Sequence, residues 1–468
     1  MSTPNTHHGA EAILRYIDGA RRVFFLGIGG VSMRALAEVT KRIGKETAGY
    51  DQVLSPTTDR LAAMGIPVVS DDGVHVREGD IVVYTVAISA DHPDYREAQR
   101  LALPVISRAD YLGALMCRYR CRIGVAGMHG KSTTTAMLAS VYEAAGVDPT
   151  VFAGAAIPAY GSTCKMGGED YLIFEACEYM DSFLSFYATC AVVINIEEEH
   201  LDYFSSMDHI RSSFRRFLAQ TEGAENAMAV LNGDDRETMA AAKDYSGKKV
   251  TFGCSERVDY RAEDVSLSKD GTSFSVYRHG EFLAHVSISG VGMHLVTDAL
   301  AAFAVACENG VSPEAAANGL AAYRGAARRM ERKGRLACGA DVYEDYAHHP
   351  TAIRAALAAA SRMGYRRILC AFQPHTYSRT ITLYDKFVKA FHGADVLLFA
   401  PVYAAREKNT HSLDEVKFAR DAGAEPTGSL EEVAERLLAE ARDGDMILLM
   451  GAGDINQVTK LLKCHFTL

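Results

Sequence analysis

The residues best placed to do chemistry stand in one stretch, GVAGMHGKSTTT, at positions 124–135. Glycines in a short loop let successive backbone N–H groups surround phosphate oxygens where a helix begins. The candidate nucleotide contacts are Gly127, His129, Gly130, Lys131, Ser132 and Thr133. Lys131 would lay positive charge over the outer phosphates, and Ser132 would reach a magnesium ion. Val125 occupies the first glycine position of the strict phosphate-loop pattern, so the match is incomplete. A plain tight turn competes with this reading. The order strand, loop, Gly-Lys-Ser and helix favours a nucleoside triphosphate site.

Two acidic segments follow apolar runs. IFEACEYMDSF supplies Glu175, Glu178 and Asp181, and NIEEEHLDYF supplies Asn195, His200 and Asp202. Carboxylates at strand ends beside a phosphate loop can hold magnesium on bound ATP. Magnesium prefers oxygen to imidazole, so on chemistry alone His200 is the weaker ligand. Solvated loop charges, and a His200–Asp202 pair at a helix start, are the bland alternatives.

A third group lies further along. EDYAHHPTAI carries Asp345, Tyr346, His348 and His349 before Pro350, and AFQPHTYSRT carries His375 and Arg379. Imidazoles at a strand end can orient a carboxylate or help deprotonate an amine. A guanidinium can grip two carboxylate oxygens at once. Helix initiation at Pro350 explains the histidine pair equally simply. Arg328 and Arg329, in the basic run YRGAARRMERKG, either reach phosphates or form a solvated linker. Near the N-terminus, GIGGVS at 27–32 nearly matches a dinucleotide fingerprint. Gly27, Gly29, Gly30, Val31 and Ser32 would hold a diphosphate, and Asp51 lies at a believable distance for a ribose contact. Pure turn geometry is the other reading.

These residues need a scaffold that brings strand ends together. Short β-rich runs alternate with helical patterns almost throughout, as in RRVFFLGI then VSMRALAEVTKRI. Such alternation predicts parallel sheets with crossover helices, an α/β architecture. The exception is the stretch from VTFGCSERVDY to EFLAHVSI, whose alternation and turns predict a small antiparallel patch. Boundaries fall near 107–120 and 323–334, giving three domains within 468 residues. The formal charge of −10 argues against nucleic-acid binding, which needs clustered Lys and Arg. The ten cysteines show no CxxC pair and read as reduced core thiols. No apolar run reaches membrane-spanning length and no signal core opens the chain, so a cytoplasmic location away from membranes is expected.

In order, GIGGVSMRALAEV, GMHGKSTTT, EACEYMDSFL, NIEEEHLDYF, the RR junction, EDYAHHPT, FQPHTYSRT and GAGDI resemble the muramyl (Mur) ligase family over nearly the whole chain. The resemblance implies a UDP-sugar-binding Rossmann-like domain at 1–107 and a P-loop-type ATPase domain at 108–325. It implies an amino-acid-binding Rossmann-like domain at 326–468. It also implies a reaction: ATP and Mg2+ activate the lactyl carboxylate of UDP-N-acetylmuramate as an acyl phosphate. The amine of L-alanine then displaces phosphate.

Carried over by motif, Lys131, Glu175, His200, Arg328, His348 and Arg379 are catalytic, with Ser132, Glu175 and His200 on the metal. Arg328 also meets ATP, while Tyr346, His348, His349, His375 and Arg379 surround the substrates. A monomer or homodimer is expected. This chain departs from the family where GMHLVTDALAA replaces a GRHNVxNALAA-like segment, leaving His294 and Asp298 to meet adenine and Leu295 unable to hydrogen-bond. Met293, Thr376 and Met128 are further departures, and Phe214 occupies the position matched to a carbamylated lysine of related ligases. Three alternatives stand beside this reading: a recycling ligase that attaches a preformed peptide, a relative that binds UDP-sugar without catalysis, and a nicotinamide-dependent dehydrogenase.

Overall fold

The computed structural model describes residues 9–200, 203–268, 271–405, 407, 409 and 413–467. Among the described residues the strands form three sheets, of five, ten and six strands in chain order. The first is wholly parallel, in the spatial order Val68–Val69, Glu46–Tyr50, Arg22–Leu26, Asp80–Tyr84 and Val105–Ser107. Its inner strands are buried on both faces, as expected when helices cover a parallel sheet.

The second sheet is centred on Cys121–Ala126, with Cys190–Val193 on one side and Tyr171–Glu175 on the other, all parallel. Its far edge is the predicted antiparallel patch, where Gly271–Arg278 pairs with Tyr260–Ser268 and Glu281–Ile288. Those strands alternate buried and less buried residues, because one face packs on the core and the other meets water. The helix Lys131–Ala144 follows the central strand and buries Met137, Leu138, Val141 and Tyr142. They share a core with Leu300 and Phe303 of the helix Met293–Glu308. Burying each large apolar side chain contributes roughly 1.5–3 kcal/mol. The two helices are thereby held rigidly behind the loop.

In the third sheet Asp341–Asp345, Asp445–Met450, Arg367–Phe372 and Val396–Phe399 run parallel, while Glu331–Arg335 joins antiparallel at an edge. Crossover helices return each chain to the same side, so the C-terminal ends of parallel strands gather along one edge. The candidate site residues of the second and third domains follow those ends. No described helix is long and apolar enough to cross a membrane. All ten cysteines are free.

Candidate active site

The loop after Cys121–Ala126 is shaped from outside. Asn195 Oδ1 accepts from the N–H groups of Met128 at 3.0 Å and His129 at 2.9 Å. Gly130 caps the following helix with φ +85°, and a Cβ there would collide with Asp298 Oδ1, so both conformation and space demand glycine. Lys131 folds back over the loop, its Nζ 2.6 Å from Gly127 O and 2.9 Å from Glu178 Oε2. Glu178 is only 1% exposed. Burial alone would raise its pKa, yet Lys131 and His200 outweigh burial and hold the carboxyl below its usual range. Burial likewise depresses Lys131, and Glu178 more than restores it. Ser132 Oγ donates to Glu175 Oε2 at 2.7 Å, while His200 Nε2 lies 3.3 Å from Glu178 Oε1. One cation, two carboxylates, a hydroxyl and an imidazole therefore meet at the helix start.

Behind the loop, Asp298 is buried and burial pushes its pKa up to about 8, against partial offsets from the Thr134 hydroxyl and Arg329. It faces Gly130 as a neutral acid at neutral pH. His294 is exposed in the first turn of its helix.

The third domain closes over this edge through three successive glutamates. Glu197 accepts from Thr351 Oγ1 at 2.8 Å, Glu198 pairs with Lys386 at 3.1 Å, and Glu199 pairs with Arg379 at 2.9 Å. Burial opposes ionisation of Glu199, but Arg379 and the neighbouring histidines hold it well below the carboxylate range. His348 Nδ1 donates to Tyr346 O, 2.9 Å away, and burial followed by Arg379 pushes the imidazole pKa well down. His349 and His375 are lowered to about 4, each chiefly by burial. All three imidazoles are neutral at pH 7. A cleft of about 520 Å³ lies between the domains, lined by Tyr179, Glu199, His200, His375, Thr376 and Arg379 among others.

The N-terminal loop is quieter. Gly29 donates its N–H to Asp51 Oδ2 at 2.7 Å, and a Cβ there would stand 2.8 Å from the same oxygen. Asp51 Oδ1 accepts from Val53 N–H. Asp51, expected to meet a ribose, thus already braces the loop with both oxygens. Gly27 has φ +83°, Gly30 caps the helix Val31–Arg42, and Ser32 sits in its first turn.

Several candidate residues take partners in this structure that their sequence positions did not suggest. The Arg328 guanidinium bonds Gly451 O at 2.5 Å and Gly453 O at 3.1 Å and stacks over Tyr346, so in this conformation it braces the third domain instead of facing the phosphate loop. Arg329 is the member of that pair whose charge reaches Asp298. Asp181, grouped with the metal acids, instead accepts from Tyr203 OH at 2.9 Å and from Ser213. Phe214, at the position matched to the lysine of related ligases, is fully buried and meets Phe183 edge-on. Asp202 lies outside the described residues. The loop-shaping role of Asn195 and the clasp of Glu197–Glu199 escaped the sequence reading. The run of three glutamates was the clasp's only signal, because its partners lie more than 150 residues away.

Three family models match the chain in order: Mur ligase family, catalytic domain, at 22–120; Mur ligase middle domain at 125–306; and Mur ligase, glutamate ligase domain, at 328–453. The chain belongs to the Mur ligase family. Among its relatives, a UDP-N-acetylmuramate–L-alanine ligase of Caldanaerobacter subterraneus subsp. tengcongensis is 39% identical, covering 94% of this chain and 96% of the relative. The protein of the same name from Clostridium novyi is 36% identical, covering 95% and 97%. The crystal structure of the UDP-N-acetylmuramate–alanine ligase of Thermotoga maritima superposes with a TM-score of 0.78 at 26% identity, covering 94% of this chain and 98% of that one.

Proposed function

We propose that this chain is an ATP-dependent, ADP-forming ligase that joins L-alanine to the lactyl carboxylate of UDP-N-acetylmuramate. One observation carries the chemistry: Lys131, Ser132, Glu175, Glu178 and His200 converge at a helix start, across a cleft from Arg379. Phosphoryl transfer needs positioning and charge neutralisation above all. The helix amides and Lys131 supply both for the terminal phosphates.

Ser132 and Glu175 place a hydroxyl and a carboxylate oxygen 2.7 Å apart, a donor set that fits Mg2+; His200 would complete it less strongly. Bound there, Mg2+ would neutralise phosphate oxygens. The imidazoles of His348 and His349, which burial keeps unprotonated and weakly basic, can orient the incoming amine by hydrogen bonding. Closure of the third domain through Glu197–Glu199 excludes water that would hydrolyse an activated acyl group. UDP-sugar binding falls to the N-terminal loop, whose helix start is free of acids in its first turn.

The test measures phosphate release from ATP with Mg2+, UDP-N-acetylmuramate and L-alanine. Amino-acid-dependent release is expected. Release only with a tripeptide acceptor would make the chain a recycling ligase, and UDP-sugar binding without ATP binding would make it a non-catalytic relative.

A further inference from the structure

The Glu199–Arg379 pair is more than a clasp between domains. Arg379 donates Nε and Nη2 to Glu199 Oε1 at 3.0 and 2.9 Å, and its Nη1 meets His375 Nδ1 at 3.1 Å and His375 O at 3.2 Å. Every guanidinium nitrogen is therefore engaged. These contacts use four of its five N–H groups, so a substrate carboxylate gains a two-pronged grip by displacing one of these partners. Glu199 Oε2, in contrast, is buried without a hydrogen-bond partner among the described residues; His349 Nε2 stands 3.8 Å away, too far to bond. The side chain is 4% exposed, and native structures leave few such acceptors idle. Both residues line the cleft, on opposite domains.

We propose that Glu199 is the residue that receives the ammonium group of the incoming amino acid. An α-amino acid carries one positive and one negative group on neighbouring carbons, the complement of a Glu–Arg pair. Its carboxylate takes over the Arg379 fork, and its ammonium takes the partner that this exchange sets free, with Oε2 as the waiting acceptor. Neither Glu199 nor Arg379 is left as a buried unpaired charge, which is the costly alternative. The exchange places the nitrogen between the two domains, on the edge where the phosphate loop and the third-domain histidines meet. Glu199 acts here as a binding and positioning group for the amine.

This inference rests on the ligase reading, and its test separates the two. Amino-acid-dependent phosphate release by the unaltered chain decides the reaction. Glu199→Gln, which keeps size and removes charge, then decides the inference. The KM for L-alanine should rise at least tenfold, with the KM values for ATP and UDP-N-acetylmuramate unchanged, and Glu199→Asp should recover part of the loss. Propionate keeps the carboxylate and lacks the ammonium. Its inhibition constant relative to the L-alanine KM measures how strongly the amine is rewarded, and that ratio should fall tenfold or more in Glu199→Gln.

Lys386→Ala removes the neighbouring clasp between Lys386 and Glu198 and serves as control. If Glu199 is only a clasp, both variants will move all three KM values together and leave the propionate ratio alone, and the proposal fails. An unchanged L-alanine KM in Glu199→Gln overturns it equally. Calorimetric titration of L-alanine into each folded variant reads the same loss of affinity without turnover.

Discussion

Two loops in this chain share one backbone device and differ in what surrounds it. Each follows a central parallel strand, turns on glycines and starts a helix, at Val31 in the first domain and Lys131 in the second. In the first, the nearby acid is turned inward, Asp51 bracing the N–H groups of Gly29 and Val53. In the second, Lys131 and Ser132 are met by Glu178 and Glu175, from the turn after the neighbouring strand and from its last residue. Backbone geometry makes both ends receptive to anions. The side chains delivered by adjacent strands separate a loop fit to hold a phosphate from one fit to transfer it.

The contrast can be broken at four points. Lys131→Ala should lower turnover about 10²–10³-fold, the scale of losing one charge-stabilising donor, while leaving UDP-sugar affinity unchanged. Steady-state phosphate release and calorimetry check the two halves; equal loss in both would erase the distinction between the loops. Because the variant leaves the buried Glu178 with His200 but without its lysine, its folding should be confirmed by thermal denaturation, with Lys131→Ala/Glu178→Gln as the compensated form.

Next, Gly130→Ala should destabilise by about 1–3 kcal/mol, since φ +85° and Asp298 both oppose a side chain. Gly29→Ala meets the Asp51 carboxylate and the Thr58 methyl but has no left-handed φ to oppose it, and should cost less. Denaturant unfolding of the pair would sharpen the comparison, and a larger loss at Gly29 would contradict it.

The third point is pH. Asp298 is raised to about 8 from an unfolded value near 3.8, so between those values the folded chain holds a proton that the unfolded chain has lost. Its contribution to stability is present in full below pH 3.8 and declines as pH climbs through 8. Asp298→Asn removes that titration, so the variant should gain on the order of 1–3 kcal/mol relative to the parent at pH 8 and little at pH 5. Melting temperatures at the two pH values decide it; an equal difference at both would remove Asp298 as the titrating group. The smallest effect belongs to Asp51→Ala. Loss of one loop brace should weaken UDP-sugar binding by about 1 kcal/mol, roughly fivefold, with ATP affinity untouched.

Much of this was legible in the chain itself. The period of the apolar runs gave the parallel sheets, and the alternation within VTFGCSERVDY to EFLAHVSI gave the antiparallel edge. GMHGKS placed Lys131 and Ser132 at a helix start because glycine, lysine and serine there have few other uses. The spacing of Glu175 and Glu178 after an apolar run put them beside the loop, because parallel strands end on one side. Those inferences are local, or rest on topology that local pattern enforces.

The partners that were not legible share a different cause. Arg328 and Arg329 are adjacent in sequence, and only the turn at Arg328, with φ +57°, sends one guanidinium to Gly451 and leaves the other to influence Asp298. Asp181 and Glu178 stand three residues apart, yet one braces a helix and the other pairs with Lys131. Residue type and spacing determined which groups reach the edge of each sheet. The packing of separate domains decided which partner each group finds there, because a charge pairs with whatever lies within a few ångströms, and such neighbours come from anywhere along the chain.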